Sequence, residues 1–100
     1  MTKAEHLLTI LAEECAEVAQ RVSKALRFGI DEVQEGQPLT NAERIMVEFD
    51  DLRAAVCMLQ NRGLLPGSDP QRVHDKMEKV ERLLAYSREM GCLEDEGAAV

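Results

Sequence analysis

The sequence contains two copies of the pattern Thr-x-x-Glu, and each copy stands where a long run of helix-forming residues begins. Such a capping box starts a helix, because the two side chains satisfy backbone amides that the first helical turn leaves unpaired. One box begins at Thr2 and the other at Thr40, and a third helix start is indicated by Asp69-Pro70. A glycine, the residue favoured after a helix, follows each segment: Gly29, Gly63 and Gly91. We therefore predict helices at about residues 3–28, 41–62 and 70–90.

No segment shows the alternation of a β-strand, and there is no repeat or low-complexity stretch. The connection Gly29–Leu39 contains a glycine and a proline, and it leaves room for a short helical turn at Asp31–Gln34. We expect a single all-α domain at residues 1–91, a bundle of three long helices with room for a short one. The acidic segment 92–100 is expected to be a flexible tail.

The composition argues against several functions. The 100 residues include 19 acidic and 12 basic ones, a formal charge of −7, which disfavours a nucleic-acid partner. Neither a signal peptide nor an apolar run of transmembrane length is visible, so we expect a cytoplasmic protein that binds no membrane. The cysteines form no zinc or disulfide pattern. Cys15 and Cys57 fall in apolar helical stretches and are expected to be buried thiols.

The first predicted helix carries acids along one border of its apolar face. At about 100° per residue, one arc collects apolar residues: Leu7, Leu11, Cys15, Val18, Val22 and Leu26. Glu14 lies at the edge of this arc, with Glu17 and Glu13 beside it on the same side. Lys24 is in line with them two turns later. This helix therefore combines an acidic border with a cation.

The second predicted helix repeats the arrangement. Its apolar arc consists of Ile45, Phe49, Leu52, Val56 and Leu59. Glu48 lies within that arc and Asp51 at its border, whereas Asp50 points elsewhere. The opposite side of the helix is also apolar, which is typical of a helix that is central in its domain or contacts another subunit.

The third predicted helix has a core stripe flanked by cations. The stripe consists of Val73, Met77, Val80 and Leu84, and the flanking residues are Lys76, Lys79 and Tyr86. Lysines in this position either lay their stems along the edge of the core or reach into a neighbouring groove.

Five carboxylates thus border apolar faces on two helices: Glu13, Glu14, Glu17, Glu48 and Asp51. Acids three or four residues apart on one helix repel each other, and a divalent cation would relieve this repulsion. All-oxygen ligands suit Mg²⁺, Mn²⁺ or Ca²⁺. Within one turn, Arg21 is expected to relieve the charge of Glu17, and Arg44 that of Glu48.

Two other interpretations of these acids remain. One is a solvated acidic face without a ligand. The other is a di-iron bundle, which would use Glu-x-x-His on two helices. Neither histidine fits that pattern, because His6 follows Lys3 and His74 follows Gln71 at the required spacing.

The acidic motifs resemble a known family. Glu13-Glu14-x-x-Glu17 followed by Glu48-x-x-Asp51 is similar to the E-E-x-x-E…E-x-x-D signature of MazG-like, all-α nucleoside triphosphate pyrophosphohydrolases. The runs EECAEVAQRVSKALRFG and LTNAERIMVEFDDL also resemble the short, single-domain members of bacteria and phages. The similarity covers residues 7–59 well and the third helix more loosely.

The resemblance implies a Mg²⁺-dependent enzyme, with Mn²⁺ as a substitute. Such an enzyme cleaves an NTP or dNTP between the α- and β-phosphates and releases a monophosphate and pyrophosphate. The five signature carboxylates would be its catalytic metal ligands, and one of them would orient the attacking water. The resemblance also implies four-helix-bundle-like packing in a homodimer or homotetramer. A non-catalytic nucleotide- or metal-binding or interaction module with the same fold is the alternative.

Substrate contacts are expected from cations and an amide near the acids. Lys24 lies about 10 Å along the helix from Glu17 and is the first candidate for a phosphate contact. Arg27 points away from the acids and ranks second. Asn41 would contact the base or sugar, or would instead serve the start of its helix. Further candidates come from the third helix or a neighbouring subunit: Lys76, Lys79 and Tyr86.

Overall fold

The computed structural model describes residues 1–94 and contains three α-helices: α1 (Lys3–Phe28), α2 (Asn41–Asn61) and α3 (Pro70–Glu89). Each end lies within one residue of its predicted position, and no β-strand occurs in the described part of the chain. The all-α fold class is therefore confirmed. None of these helices combines the length and the apolar character needed to cross a membrane. The tail predicted at residues 92–100 lies mostly outside the described residues.

Both predicted capping boxes are formed. The Thr2 hydroxyl accepts a hydrogen bond from the Glu5 amide at 3.1 Å, and the Glu5 carboxylate accepts one from the Thr2 amide at 3.1 Å. Thr40 and Glu43 form the same reciprocal pair at 3.1 and 3.0 Å. The Asp69 side chain caps α3 by accepting hydrogen bonds from the Gln71 and Arg72 amides. These local bonds explain why the sequence predicts the helix starts so closely.

The connection between α1 and α2 folds back on itself. Val33 and Thr40 form an isolated antiparallel bridge, and the Asn41 amide donates to the Glu32 carbonyl at 3.0 Å. The short helical turn at Asp31–Gln34 is not formed. The Ile30 and Glu32 carbonyls instead accept from the Ala42 and Asn41 amides across the connection, which is the physical reason for the difference.

The chain divides into two compact units, and the first, Met1–Pro66, contains the packed helix pair. Its buried apolar residues are Leu7 of α1 and Ala55 and Leu59 of α2. The predicted arcs are covered only in part: at the far end of the α1 arc, Leu26 remains 83% exposed. A pair of helices can bury only the faces that they turn toward each other.

The expectation of buried thiols is wrong. Cys15 and Cys57 are both exposed. Each lies in an apolar sequence stretch, but on a side of its helix that the partner helix does not cover. An apolar neighbourhood along the sequence therefore did not predict burial.

The second unit, Gly67–Val100, contains α3. Its predicted core stripe is exposed along its whole length: Val73, Met77, Val80 and Leu84. No residue of α3 is buried. A single helix has no second layer within its unit against which an apolar stripe can pack.

Candidate metal centre

Three carboxylates from two helices meet at one point. Glu14 and Glu17 of α1 and Glu48 of α2 each offer one oxygen, and these oxygens all lie within 4.8 Å of one another. Two ligand oxygens on opposite sides of a Mg²⁺ ion lie about 4.2 Å apart, since each Mg–O distance is about 2.1 Å. The 4.8 Å bound is slightly wider than this span, so the three carboxylates would close onto one small cation with a small inward shift of their side chains.

The antiparallel helix pair brings these residues together. Glu14 and Glu17 are one turn apart on α1, and Glu48 and Asp51 are one turn apart on α2. Glu48 contacts Glu17, and the charge of Asp51 acts on both Glu14 and Glu48. Asp51 thus lies at the edge of the cluster, as its position at the border of the apolar arc predicts.

The cluster is electrostatically strained. Burial raises the pKa of Glu14, and the charges of Glu17 and Asp51 raise it further. Burial also raises the pKa of Glu48, followed by a hydrogen bond and charge repulsion from Glu17. Both shifts have the same physical meaning: the protein disfavours the negative form of these two carboxylates when no cation accompanies them.

Two oxygens of the cluster have no hydrogen-bond partner. Glu14 Oε2 and Glu48 Oε2 are buried and accept no hydrogen bond from the described residues. Buried polar atoms in folded proteins are nearly always paired, so such an exception calls for an explanation. Carboxylate oxygens without donors are suitable ligands for a hard cation such as Mg²⁺. The donor set therefore fits the metal that the sequence predicts.

Glu13 and Asp50 lie apart from the three converging carboxylates. Glu13 is exposed, and its charge is the smallest of the causes that raise the pKa of Glu14. Asp50 is exposed as well, and no interaction links it to the cluster. Asp50 thus provides a natural control for experiments on its neighbours in the sequence.

Arg21 does not form a direct contact with Glu17, the residue whose charge it is expected to relieve. No hydrogen bond or ion pair joins it to Glu17, and its buried Nη1 has no hydrogen-bond partner among the described residues. Arg44 likewise does not pair with Glu48, because its Nη1 donates to Gln34 Oε1 at 3.0 Å. The sequence does indicate that Arg21 lies near the acids: it follows Glu14 by two turns and therefore lies on the same side of α1.

Lys24 and Asn41 meet at a cavity of about 150 Å³ that is also lined by Phe28, Glu32 and Gln34. Asn41 is only 3% exposed, and its Nδ2 donates to the Gly29 carbonyl at 2.8 Å and to Glu32 Oε1 at 3.0 Å. These bonds give Asn41 the structural role at the helix start that the sequence left open. They do not use its Oδ1.

The other predicted substrate contacts lie elsewhere. The Arg27 guanidinium stacks on the Phe28 ring, 4.9 Å from its centroid. The three remaining candidates belong to α3 in the second unit: Lys76, Lys79 and Tyr86. Lys76 lines a separate cavity of about 420 Å³ at the start of α3.

Comparison with known proteins identifies no relative. No protein-family model, curated protein or solved structure matches the chain. The functional argument therefore rests on the arrangement of the carboxylates and cations and on the resemblance of the two acidic motifs.

Proposed function

We propose that this chain is a Mg²⁺-dependent nucleoside triphosphate pyrophosphohydrolase of the MazG-like type. The observation that carries the proposal is the convergence of Glu14, Glu17 and Glu48, with two buried oxygens that have no partner. A solvated acidic face, the competing interpretation, would leave its oxygens to water. Asp51 adds charge at the edge of the cluster, and Glu13 enters through the motif.

The three converging carboxylates would hold Mg²⁺, or Mn²⁺ in its place, with Asp51 and Glu13 completing the set. The cation would supply charge neutralisation at the phosphate oxygens and would make water a better nucleophile. The carboxylates themselves would fix its position and accept hydrogen bonds from the attacking water. Their like charges repel one another, and a shared divalent cation would offset this repulsion.

Two cations follow the acids along α1. Arg21 lies one turn beyond Glu17, and Lys24 lies two turns beyond it, about 10 Å at 1.5 Å per residue. We assign both to the phosphates, because guanidinium and ammonium groups are the side chains that bind phosphate oxygens most strongly. In the reaction, water attacks the α-phosphorus and the bond from that phosphorus to the bridging oxygen breaks. Pyrophosphate leaves with that oxygen, and the monophosphate keeps the oxygen of water.

The decisive test is turnover. Purified protein is incubated with each NTP and dNTP in Mg²⁺, and products are separated by ion-exchange chromatography. We expect monophosphate and pyrophosphate in equal amounts and none of either in EDTA. In H₂¹⁸O, the label should enter the monophosphate and not the pyrophosphate.

Two variants and one control connect the activity to the cluster. Glu17→Gln and Glu48→Gln should lower kcat by about a hundredfold or more, since each removes a ligand of the cation. Asp50→Asn removes the same charge two residues from Glu48 and should leave kcat within about twofold. A folded wild-type protein that turns over no nucleotide would refute the proposal. Nucleotide binding by calorimetry without turnover would instead support the non-catalytic module.

We also propose that the active form is a homodimer or homotetramer. Among residues 1–94, the buried apolar side chains are Leu7, Ala55 and Leu59, which is a small core. Apolar residues such as Val47 and Met58 on α2 are about half exposed. A second copy that covers them would bury the side of α2 that the sequence predicts to face a partner. In such an assembly, Lys76 and Lys79 of α3 remain candidates for substrate contacts from a neighbouring subunit.

A further inference from the structure

Apart from Lys24, the residues around the cavity at the end of α1 have no role in the proposed metal chemistry. The cavity is lined by Lys24 and Phe28 of α1, by Asn41 of α2, and by Glu32 and Gln34 of the connection. It therefore lies where α1 ends, α2 begins and the connection folds back. Its walls contain one aromatic ring, one cation, one carboxylate and two amides, a combination suited to a flat heterocycle with polar edges.

The size of the cavity limits its ligand. Its volume is about 150 Å³. An apolar protein cavity of roughly this volume is known to bind benzene, a single six-membered ring. A pyrimidine is one six-membered ring, whereas a purine consists of two fused rings. The space thus matches a single six-membered ring more closely than two fused rings.

The polar groups of the cavity are fixed by neighbours in the protein. Gln34 Oε1 accepts a hydrogen bond from Arg44 Nη1 at 3.0 Å, which leaves the Gln34 Nε2 group as a donor. Asn41 Nδ2 is occupied by the Gly29 carbonyl and Glu32 Oε1, which leaves Asn41 Oδ1 as an acceptor. Donor and acceptor are both held in place before a ligand arrives. Pyrimidines present both kinds of group on their edges.

The distance from the acids also fits a nucleotide. Lys24 lies seven residues after Glu17 on α1, and Asn41 lies seven residues before Glu48 on α2. At 1.5 Å per residue, both helices separate the cavity from the carboxylates by about 10 Å. Arg21 lies between them on α1. The order along the helix pair is therefore the acids, then Arg21, then the cavity with Lys24 in its wall, which matches the order of metal, phosphate and base in a nucleotide complex.

We infer that this cavity binds the base of a pyrimidine nucleotide, so that the enzyme acts on pyrimidine in preference to purine triphosphates. The inference rests on the proposed function for the reaction, but not for the binding of the base. Phe28 provides the apolar ring surface, and the Gln34 and Asn41 amides recognise the polar edge.

The first test compares kcat/KM for pyrimidine and purine nucleotides. We expect a preference of at least about tenfold for pyrimidines, because hydrophobic sites discriminate by about that factor at the size of a single methylene group. Phe28→Ala enlarges the cavity and should reduce the preference. Gln34→Ala should lower kcat/KM for pyrimidines by about three- to tenfold, the worth of one hydrogen bond. Gln37→Ala in the same connection, outside the cavity, is the matched control and should change nothing.

The second test does not depend on hydrolysis. Saturation-transfer NMR with uridine, cytidine, adenosine and guanosine, in EDTA, measures binding of the base and sugar alone. We expect saturation of the pyrimidine ring protons, a weaker effect for purines, and a loss of the pyrimidine signal in Gln34→Ala but not in Gln37→Ala. Circular dichroism of each variant shows whether it is folded.

The two tests separate the two proposals. Equal hydrolysis of purine and pyrimidine triphosphates would overturn the inference and leave the proposed function intact. Pyrimidine nucleoside binding without any hydrolysis would support the inference and refute the proposed function. If no nucleoside binds, or if purine nucleosides bind as well as pyrimidines, the cavity is not a pyrimidine site.

Discussion

At the scale of single residues, Glu48 has opposite effects on stability and on binding. Burial and the proximity of Glu17 raise its pKa, so the folded state holds its proton more tightly than the unfolded chain does. Stability therefore falls as the pH rises from the ordinary carboxyl pKa through this raised value, and stays lower above it. At neutral pH and without a cation, ionised Glu48 destabilises the protein.

Glu48→Gln should consequently stabilise the metal-free protein. It removes a charge that Glu14, Glu17 and Asp51 repel, and we expect a gain of up to about 1 kcal/mol at pH 7. Thermal unfolding in EDTA measures it, with Asp50→Asn as the control. In millimolar Mg²⁺ the order should reverse, because the cation stabilises the wild type and not the variant. A lower melting temperature for Glu48→Gln in EDTA would contradict the strain argument.

Arg21, unlike Glu48, is expected to affect activity but not stability, because its buried Nη1 contributes no hydrogen bond to the fold. Arg21→Ala should leave the melting temperature within about 2 °C of the wild type. It should lower kcat/KM for the preferred nucleotide by about ten- to a hundredfold, since a hydrogen bond to a charged group contributes roughly 1.5–3 kcal/mol. Arg53→Ala, at an exposed position of α2, is the control. Loss of stability without loss of activity would assign Arg21 to the fold.

At the scale of helices, the capping box at the start of α2 should make the free energy of unfolding decrease at acidic pH. Hydrogen bonds from the Thr40 backbone and then from its hydroxyl lower the pKa of Glu43. A carboxylate with a lowered pKa contributes stability that is complete above the ordinary value of 4.5 and is lost as the pH falls through the folded value. The first box, at Thr2 and Glu5, has the same dependence.

Glu43→Gln should therefore flatten the pH dependence of unfolding. The relevant range is about pH 5 to 3, which brackets the glutamate pKa. As the pH falls through it, the free energy of unfolding should decrease less in Glu43→Gln than in the wild type. Urea denaturation at each pH gives this difference. Glu35→Gln, in the exposed connection, should retain the wild-type slope.

The sequence predicts those features of the helices that depend on neighbours along the chain. The caps at Thr2 and Thr40 and the terminal Gly29 are local, so the helix bounds are predicted to within one residue. Helical periodicity also places Glu14 and Glu48 on facing sides. The helix bounds and the face on which each acid lies both depend on residues of a single helix.

The features that the sequence does not predict depend on contacts between distant residues. The fold of the connection depends on Asn41 reaching Gly29, twelve positions away. The isolation of Arg21 and the pairing of Arg44 with Gln34 depend on side chains choosing among several partners. The exposure of Cys15 depends on which face of α1 the second helix covers. Periodicity identifies an apolar face but not what covers it.

At the scale of the whole molecule, exposed apolar surface is the feature that supports the proposed assembly. Val47 and Met58, on the same side of α2, are 45% and 48% exposed. Clustered apolar side chains on the surface of a soluble protein mark interaction sites more often than chance. Their position on the helix that supplies Glu48 links the proposed assembly to the proposed active site.

Met58→Lys should weaken this assembly. We expect the wild type to elute at a multiple of the 11.2 kDa chain mass in light scattering, and the variant to shift toward the single-chain mass. A charge buried against a second copy opposes association. Ser23→Lys introduces the same charge at an exposed position of α1 and is the control. A wild type that is monomeric at millimolar concentration would exclude the assembly.

The α1–α2 hairpin also has a consequence for the time course of folding. Each helix has its own start signal, and the connection that joins them is short enough to close in about 10–100 ns. Proteins whose contacts are mostly local fold in microseconds to milliseconds. Encounters between separate chains, in contrast, become slower as the protein is diluted. The hairpin that brings Glu17 and Glu48 together would therefore form before the proposed assembly, and dilution would delay association without delaying the formation of the acidic cluster.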